Sequence, residues 1–144
     1  VVCESERYFS GRPVSTLIEH LKFIQAQVGK KIMVIADAEN AFANLDVENA
    51  GFDVQPVAFG KWKEFGVSNI EKYLESRKLA VDGCPKLQKV MKKMRRDRRG
   101  AIVKHRDDHG HDGFLCGMLN FIWLNEFASE IVEEPETESS CQLI

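Results

Sequence analysis

Two stretches of this chain carry side chains able to do chemistry on a charged substrate. From His105 to Asp112, three aspartates (Asp107, Asp108, Asp112) are interleaved with three histidines (His105, His109, His111). Far upstream, Asp37 closes the apolar run Ile32 to Ala36, which itself follows Lys30 and Lys31. Clustered histidines with an aspartate suit zinc, yet His109 and His111 are two positions apart and would not share one face of a helix. Aspartates favour hard cations such as magnesium or manganese. The reading adopted is therefore carboxylate ligands for Mg2+ or Mn2+, with the histidines behind them or facing the substrate.

Those acids need rigid elements beneath them. The run Ile32 to Ala36 has no alternation, which predicts a strand buried on both faces in the middle of an α/β sheet. Asp37 then falls at the carboxyl edge of that sheet, where open α/β folds place their ligands. The plainer alternative is that Asp37 caps the following helix, since Asp is a favoured N-cap. Asp112 directly precedes Phe114, Leu115, Met118, Leu119, Phe121, Ile122, Trp123 and Leu124, a helix apolar nearly all round that belongs in a core. A carboxylate at its first turn is expensive unless a cation or a donor meets it.

In chain order, Val1 to Phe9 reads as a strand already in progress, and with no initiating Met the chain is expected to be the later part of something longer. Pro13 opens a helix whose apolar residues Leu17, Ile18, Leu21, Ile24 and Val28 run to a stop at Gly29. A crossover would then lay the first strand beside the second. Ala41 to Ala50 is mildly helical, and Phe52 to Phe59 is a strand in which Pro56 marks an edge or a bulge. Gly60 to Gly66 reads as a loop presenting Lys61 and Lys63 around Trp62, either toward nucleic acid or with the Trp tucked onto the core. Ser68 and Glu71 have capping-box spacing for a helix, Leu79 to Val81 is a short strand, and Pro85 opens a basic helix ending at Gly100. Ala101 to Val103 is a brief extended piece.

Composition bounds the rest. With 144 residues, 44% of them hydrophobic, the chain predicts one globular domain over residues 1–130 and an acidic flexible tail over 131–144. A net charge of -2 hides an asymmetry: Lys86 to Arg106 holds ten Lys or Arg against Asp97 alone, and Glu126 to Ile144 holds six Glu and no base. The basic block can track phosphates, and the bland alternative is a solvated amphipathic helix. Cys3, Cys84, Cys116 and Cys141 form no C-x-x-C pair, so neither a zinc ribbon nor a disulfide framework is expected. The apolar segment Gly113 to Leu124 is too short to span a bilayer. Cys141 to Ile144 fits a C-a-a-X box, a short pattern with nothing else pointing to a membrane.

The succession of features resembles a known family. A buried strand ends in Asp37, A-G-F-D-V follows at Ala50 to Val54, and a Lys-bearing loop leads into a helix. Cys-Pro-x-Leu at Cys84 to Leu87 precedes a basic stretch, and D-H-x-x-D at Asp108, His109 and Asp112 opens a core helix. Over roughly Tyr8 to Phe127 this is similar to the C-terminal nuclease domain of the large terminase subunit of tailed phages. The resemblance implies an RNase H-like mixed sheet flanked by helices, N-terminally truncated, and a two-metal endonuclease that cuts double-stranded viral DNA during genome packaging. It implies Asp37 and Asp112 as catalytic metal-binding acids, Asp108 as a further ligand, and His109 as an outer-sphere partner. It also implies contacts from Lys61, Lys63, Lys92, Lys93, Arg95 and Arg96 to DNA phosphates. The implied partners are the terminase ATPase domain, the small terminase subunit and the portal, and the implied place is the cytoplasm of the infected host cell.

The departures bear on activity. The family's first metal-binding acid lies on the first strand of its fold, and Glu4 and Glu6 sit on what reads as the wrong strand. No G-x-x-x-x-G-K-[ST] loop occurs, so the packaging ATPase is not encoded in these residues. Three alternatives follow: a resolvase or transposase relative with the same carboxylates, a catalytically inactive DNA-binding module, and an α/β domain whose acids are only caps.

Overall fold

A computed structural model describes the backbone of residues 1–101 and 110–126, and their side chains except those of Phe59, Lys61 and residues 110–116. Among these residues the fold is mixed α/β, with five helices and one two-stranded parallel sheet. The elements are α1 (Val14–Val28), β1 (Met33–Asp37), α2 (Ala41–Asn49), β2 (Asp53–Val57), α3 (Phe59–Glu75), α4 (Pro85–Lys93) and α5 (Gly110–Glu126). Backbone contacts divide the chain into two compact units, Phe9–Phe59 and Val1–Tyr8 with Gly60–Ile144.

In the unit Phe9–Phe59, Pro13 stands in extended conformation just ahead of α1, where its missing N–H costs nothing. Gly29, at φ 74°, closes the helix by donating its N–H to the Gln25 carbonyl at 3.0 Å. β1 and β2 pair in register from Met33 opposite Asp53 to Asp37 opposite Val57, joined through α2. Leu21, Ile24, Val34, Val47, Phe52 and Val57 are the buried apolar residues here.

Three sequence expectations about strands are corrected. β1 is not buried on both faces: Val34 is buried, Met33 is exposed, and Ile35, Ala36 and Asp37 are half-buried. With one paired strand among the described residues, β1 keeps an open edge that a central strand lacks. Nor does Val1 to Phe9 form a strand beside β1. Only Val2 pairs, in an isolated parallel bridge with Ala80, and the expected strand Leu79 to Val81 is reduced to that bridge.

In the other unit, the predicted loop Gly60 to Gly66 and the predicted capping box at Ser68 are both interior to α3, which starts at Phe59. Gly66 is a packing position rather than a loop residue. A Cβ there would lie 2.9 Å from two side-chain atoms of Ile122, so the missing side chain lets α5 approach α3. One face of α3 continues the contact, with Tyr73 edge-on to Phe121 at 5.1 Å between ring centroids. Met118 and Ile122 are fully buried, as a core helix over this stretch requires. α4 starts at Pro85 as predicted but ends at Lys93, well before Gly100. There Asp97 Oδ1 accepts the N–H groups of Arg99 and Ala101, a local turn that competes with further helix.

The first eight residues are tied to α4. Glu6 reaches across the fold and accepts the N–H groups of Lys86 (2.7 Å) and Leu87 (3.0 Å), filling two orphan donors at the helix start. Tyr8 donates its hydroxyl to the same carboxylate, and the Lys86 ammonium sits 4.5 Å from the Tyr8 ring centre. Charge-assisted bonds at a helix N-terminus are the stronger kind. Glu6→Ala is therefore expected to lower unfolding free energy by about 1–2 kcal/mol in urea titration, and Glu6→Gln by less. Equal stability of all three chains would remove Glu6 as the cap.

Candidate functional site

Asp37 is positioned by the end of β1 and the turn into α2. Its carbonyl accepts the Asn44 side-chain amide (2.8 Å) and the Asn40 N–H (3.2 Å), which fixes the chain reversal. Its carboxylate Oδ1 accepts the Glu39 N–H at 3.0 Å. Asp37 thus holds the turn but does not cap α2, whose N-cap position is Asn40 without a side-chain bond. The second carboxylate oxygen has no partner among the described residues. A half-buried carboxylate with one oxygen braced and one open suits a single ligand of a hard divalent cation.

Asp112 is the third residue of α5, in its first turn as predicted, and its side chain lies outside the described residues. Asp108 and His109 lie outside them altogether. Asp37 belongs to the unit Phe9–Phe59 and Asp112 to the other. Among the described residues no three His, Cys, Asp or Glu side chains cluster closely enough to hold a metal ion.

The basic residues separate into distinct roles. Lys92 and Lys93 are exposed in the last turn of α4, where cations also complement the helix dipole. Arg95 is exposed, and its guanidinium donates to the carbonyls of Lys92 (2.9 Å) and Met94 (3.1 Å), covering the helix end. Arg96 is held inside the protein's own network. It bonds Glu64 at 3.1 Å, Glu71 at 3.2 Å and the Gly100 carbonyl at 2.7 Å, and the two carboxylates raise its pKa further. Lys63 is half-buried on α3, while Lys61 lies on α3 with its side chain outside the described residues.

The sequence reading took Arg98 and Arg99 only as the end of a basic helix running from Lys86 toward DNA phosphates, and the structure places them beyond the end of α4. The Asp97 turn, closed by Gly100 at φ 80°, exposes both at its tip. The signal was present as Asp followed by Gly at turn spacing. Beside this turn, Val67, Ile70, Leu74, Met91 and Met94 line a groove of about 160 Å³, with Glu71, Arg95 and Arg96 completing its wall. Near it on α3, Asn69 is buried and its amide nitrogen has no acceptor among the described residues, a cost of about 1–3 kcal/mol.

Cys3 and Cys84 are both buried, and the Cys84 thiol points at the Cys3 carbonyl at 3.5 Å. Burial and then the Glu6 carboxylate push the Cys84 thiol up, which disfavours the reactive thiolate. No helix among the described residues is long and apolar enough to cross a membrane. The chain matches no protein-family model, no curated protein and no solved structure.

Proposed function

We propose that this chain is a divalent-metal-dependent endonuclease domain of RNase H-like type, acting on double-stranded DNA as the nuclease domains of phage large terminases do. The observation that carries the reading is Asp37, an acid at the carboxyl end of a strand in a parallel β-α-β unit, with one carboxylate oxygen engaged and the other open. That is where an open α/β sheet presents ligand-binding groups. Asp37 and Asp112 are the proposed metal-binding acids, with Asp108 as a further ligand and His109 as an outer-sphere partner.

Divalent cations, when bound, supply an activated water and stabilise the leaving oxygen of a phosphodiester. The chain's own part is to hold acids rigidly and to seat the backbone of the nucleic acid. The bracing bond from Glu39 fixes the Asp37 carboxylate, and the exposed cations Lys92, Lys93 and Arg95 with Arg98 and Arg99 would meet phosphates. Arg96 is better assigned to holding that surface than to touching DNA, because four of its five N–H donors are engaged within the protein. The RNase H-like sheet, the packaging partners (ATPase domain, small terminase subunit, portal) and the infected host cytoplasm belong to the same proposal.

A second reading has its own support. Both oxygens of Glu6 are engaged at α4, so that residue is not available as the family's first acid. A DNA-binding module without metal chemistry fits that fact. Thermal unfolding with manganese and magnesium, run on this chain and on Asp37→Asn and Asp112→Asn, distinguishes the two. A ligand of the native state raises the midpoint as it passes its dissociation constant. The nuclease reading expects a manganese-dependent rise that both variants lose. A flat response, or an equal rise in all three proteins, would leave DNA binding without a shared metal site.

A further inference from the structure

The two edges of the β1–β2 sheet are not equivalent. Ala38 donates its N–H to the Val57 carbonyl at 3.0 Å, and with the parallel register this fixes which backbone groups face inward. Val34, Ala36 and Ala38 point from β1 toward β2, and Asp53, Gln55 and Val57 point back. The outer edge of β2 therefore carries Val54 and Pro56. Pro56 has no N–H to offer, and its carbonyl accepts the Gln55 side-chain amide at 3.2 Å. That edge is blunted in the way proteins protect exposed strands.

The outer edge of β1 carries Met33, Ile35 and Asp37 and has no such protection. Among the described residues, the N–H and C=O of Ile35 and the N–H of Asp37 have no hydrogen-bond partner. Met33 is 43% exposed beside them, and the same unit exposes Phe42, Leu45 and Phe23. An open edge of this kind is a template for another strand. The sequence of the edge says which strand. It runs from Lys30 and Lys31 at one end to Asp37 and Glu39 at the other, so its charges are complementary to its own reverse.

We propose that the β1 edge pairs with the β1 edge of a second copy of this chain, antiparallel about a two-fold axis at Ile35. In that register the two Ile35 residues exchange both backbone hydrogen bonds, and each Asp37 N–H meets the partner copy's Met33 carbonyl. Lys31 lies two residues before the paired stretch and Glu39 in the turn two residues after it, so each copy carries Lys31 to the end of the sheet at which the other carries Glu39, and a four-stranded sheet β2-β1-β1-β2 results. Lys31 already pairs with Asp53 at 3.0 Å, but both side chains are more than half exposed, so Lys31 can turn to a second carboxylate. The two-fold axis makes every such contact occur twice, as an isologous interface requires.

Sedimentation equilibrium of the full chain over a wide concentration range tests this, with Lys31→Glu and the exchange Lys31→Glu/Glu39→Lys. The expected result is a dimer whose dissociation constant rises at least about tenfold in Lys31→Glu and returns in the exchange variant, although that variant still lacks the pair to Asp53. Hydrogen exchange at Ile35 should slow as the dimer fills. A monomer at all concentrations, a dimer indifferent to the reversal, or a loss that the exchange does not restore would each overturn the proposal. Because the readout is association without metal or DNA, it stands or falls apart from the nuclease reading.

Discussion

Gly83→Ala should lower the unfolding free energy by about 2–3 kcal/mol, seen as a lower urea midpoint at unchanged slope. The reason is the hardness of what the new methyl would meet. A Cβ at position 83 would lie 2.5 Å from the Glu4 carbonyl oxygen and 3.1 Å from its carbon, with the Cys3 carbonyl oxygen at 3.2 Å. These are backbone atoms, and no rotamer change can move them aside. The N-terminal segment has to shift, and it is held by the Cys3 N–H to the Ala80 carbonyl (2.8 Å), by the Cys84 thiol on Cys3, and by Glu6 at the start of α4. Displacing it loosens all three contacts together. Gly60→Ala is the matched control. A Cβ at position 60 meets nothing within 4 Å, and Ala in a helix gains up to about 1 kcal/mol over Gly. An unchanged midpoint for Gly83→Ala would mean that the first residues do not pack as described.

The same contrast explains how much of the fold could be read from sequence. α1, β1, α2, β2 and α5 follow from local signals: helical spacing up to Gly29, an apolar run ending in Asp37, a Pro-containing strand, an apolar helix. α4 was legible at its start, where Pro85 suits the first turn, but not at its end, where the Asp97 side chain captures the backbone. α3 was misread because Gly60 and Gly66 look like loop punctuation. Gly66 is instead spent on closeness to Ile122, a tertiary need that leaves no local trace. Long-range contacts hide in the same way. Glu6 meets Lys86 across a sequence separation of 80, and nothing near Glu6 announces it. For the candidate site, Asp37 was legible as an acid ending a strand, but its bracing bond from Glu39 and the open second oxygen were not. The basic block was legible as charge, yet only the fold tells Arg96, tied to Glu64 and Glu71, from the exposed Arg98 and Arg99.

Ile122→Ala carries a large expected loss, about 2–5 kcal/mol, because Ile122 is fully buried and its truncation leaves a cavity between α5 and α3. Its partner across that contact makes a sharper test. Gly66→Ala alone sets two opposed effects against each other. Helix propensity favours Ala by about 1 kcal/mol, while the new methyl meets Cγ1 and Cδ1 of Ile122 at 2.9 Å. Cδ1 can swing away but Cγ1 is closer to the backbone, so steric cost is expected to win and stability to fall. In the Ile122→Ala background both offending atoms are gone. What remains is Met118 Cβ at 3.4 Å, an ordinary contact, and the methyl at position 66 now fills part of the cavity. Gly66→Ala should therefore destabilise the natural chain and stabilise the Ile122→Ala chain, a reversal of sign with a coupling of about 1–3 kcal/mol in the double-mutant cycle. Additive effects would show that α3 and α5 do not meet at these two residues. A reversal places them in contact, and makes the absent side chain at position 66 the reason that α5 can lie where it does.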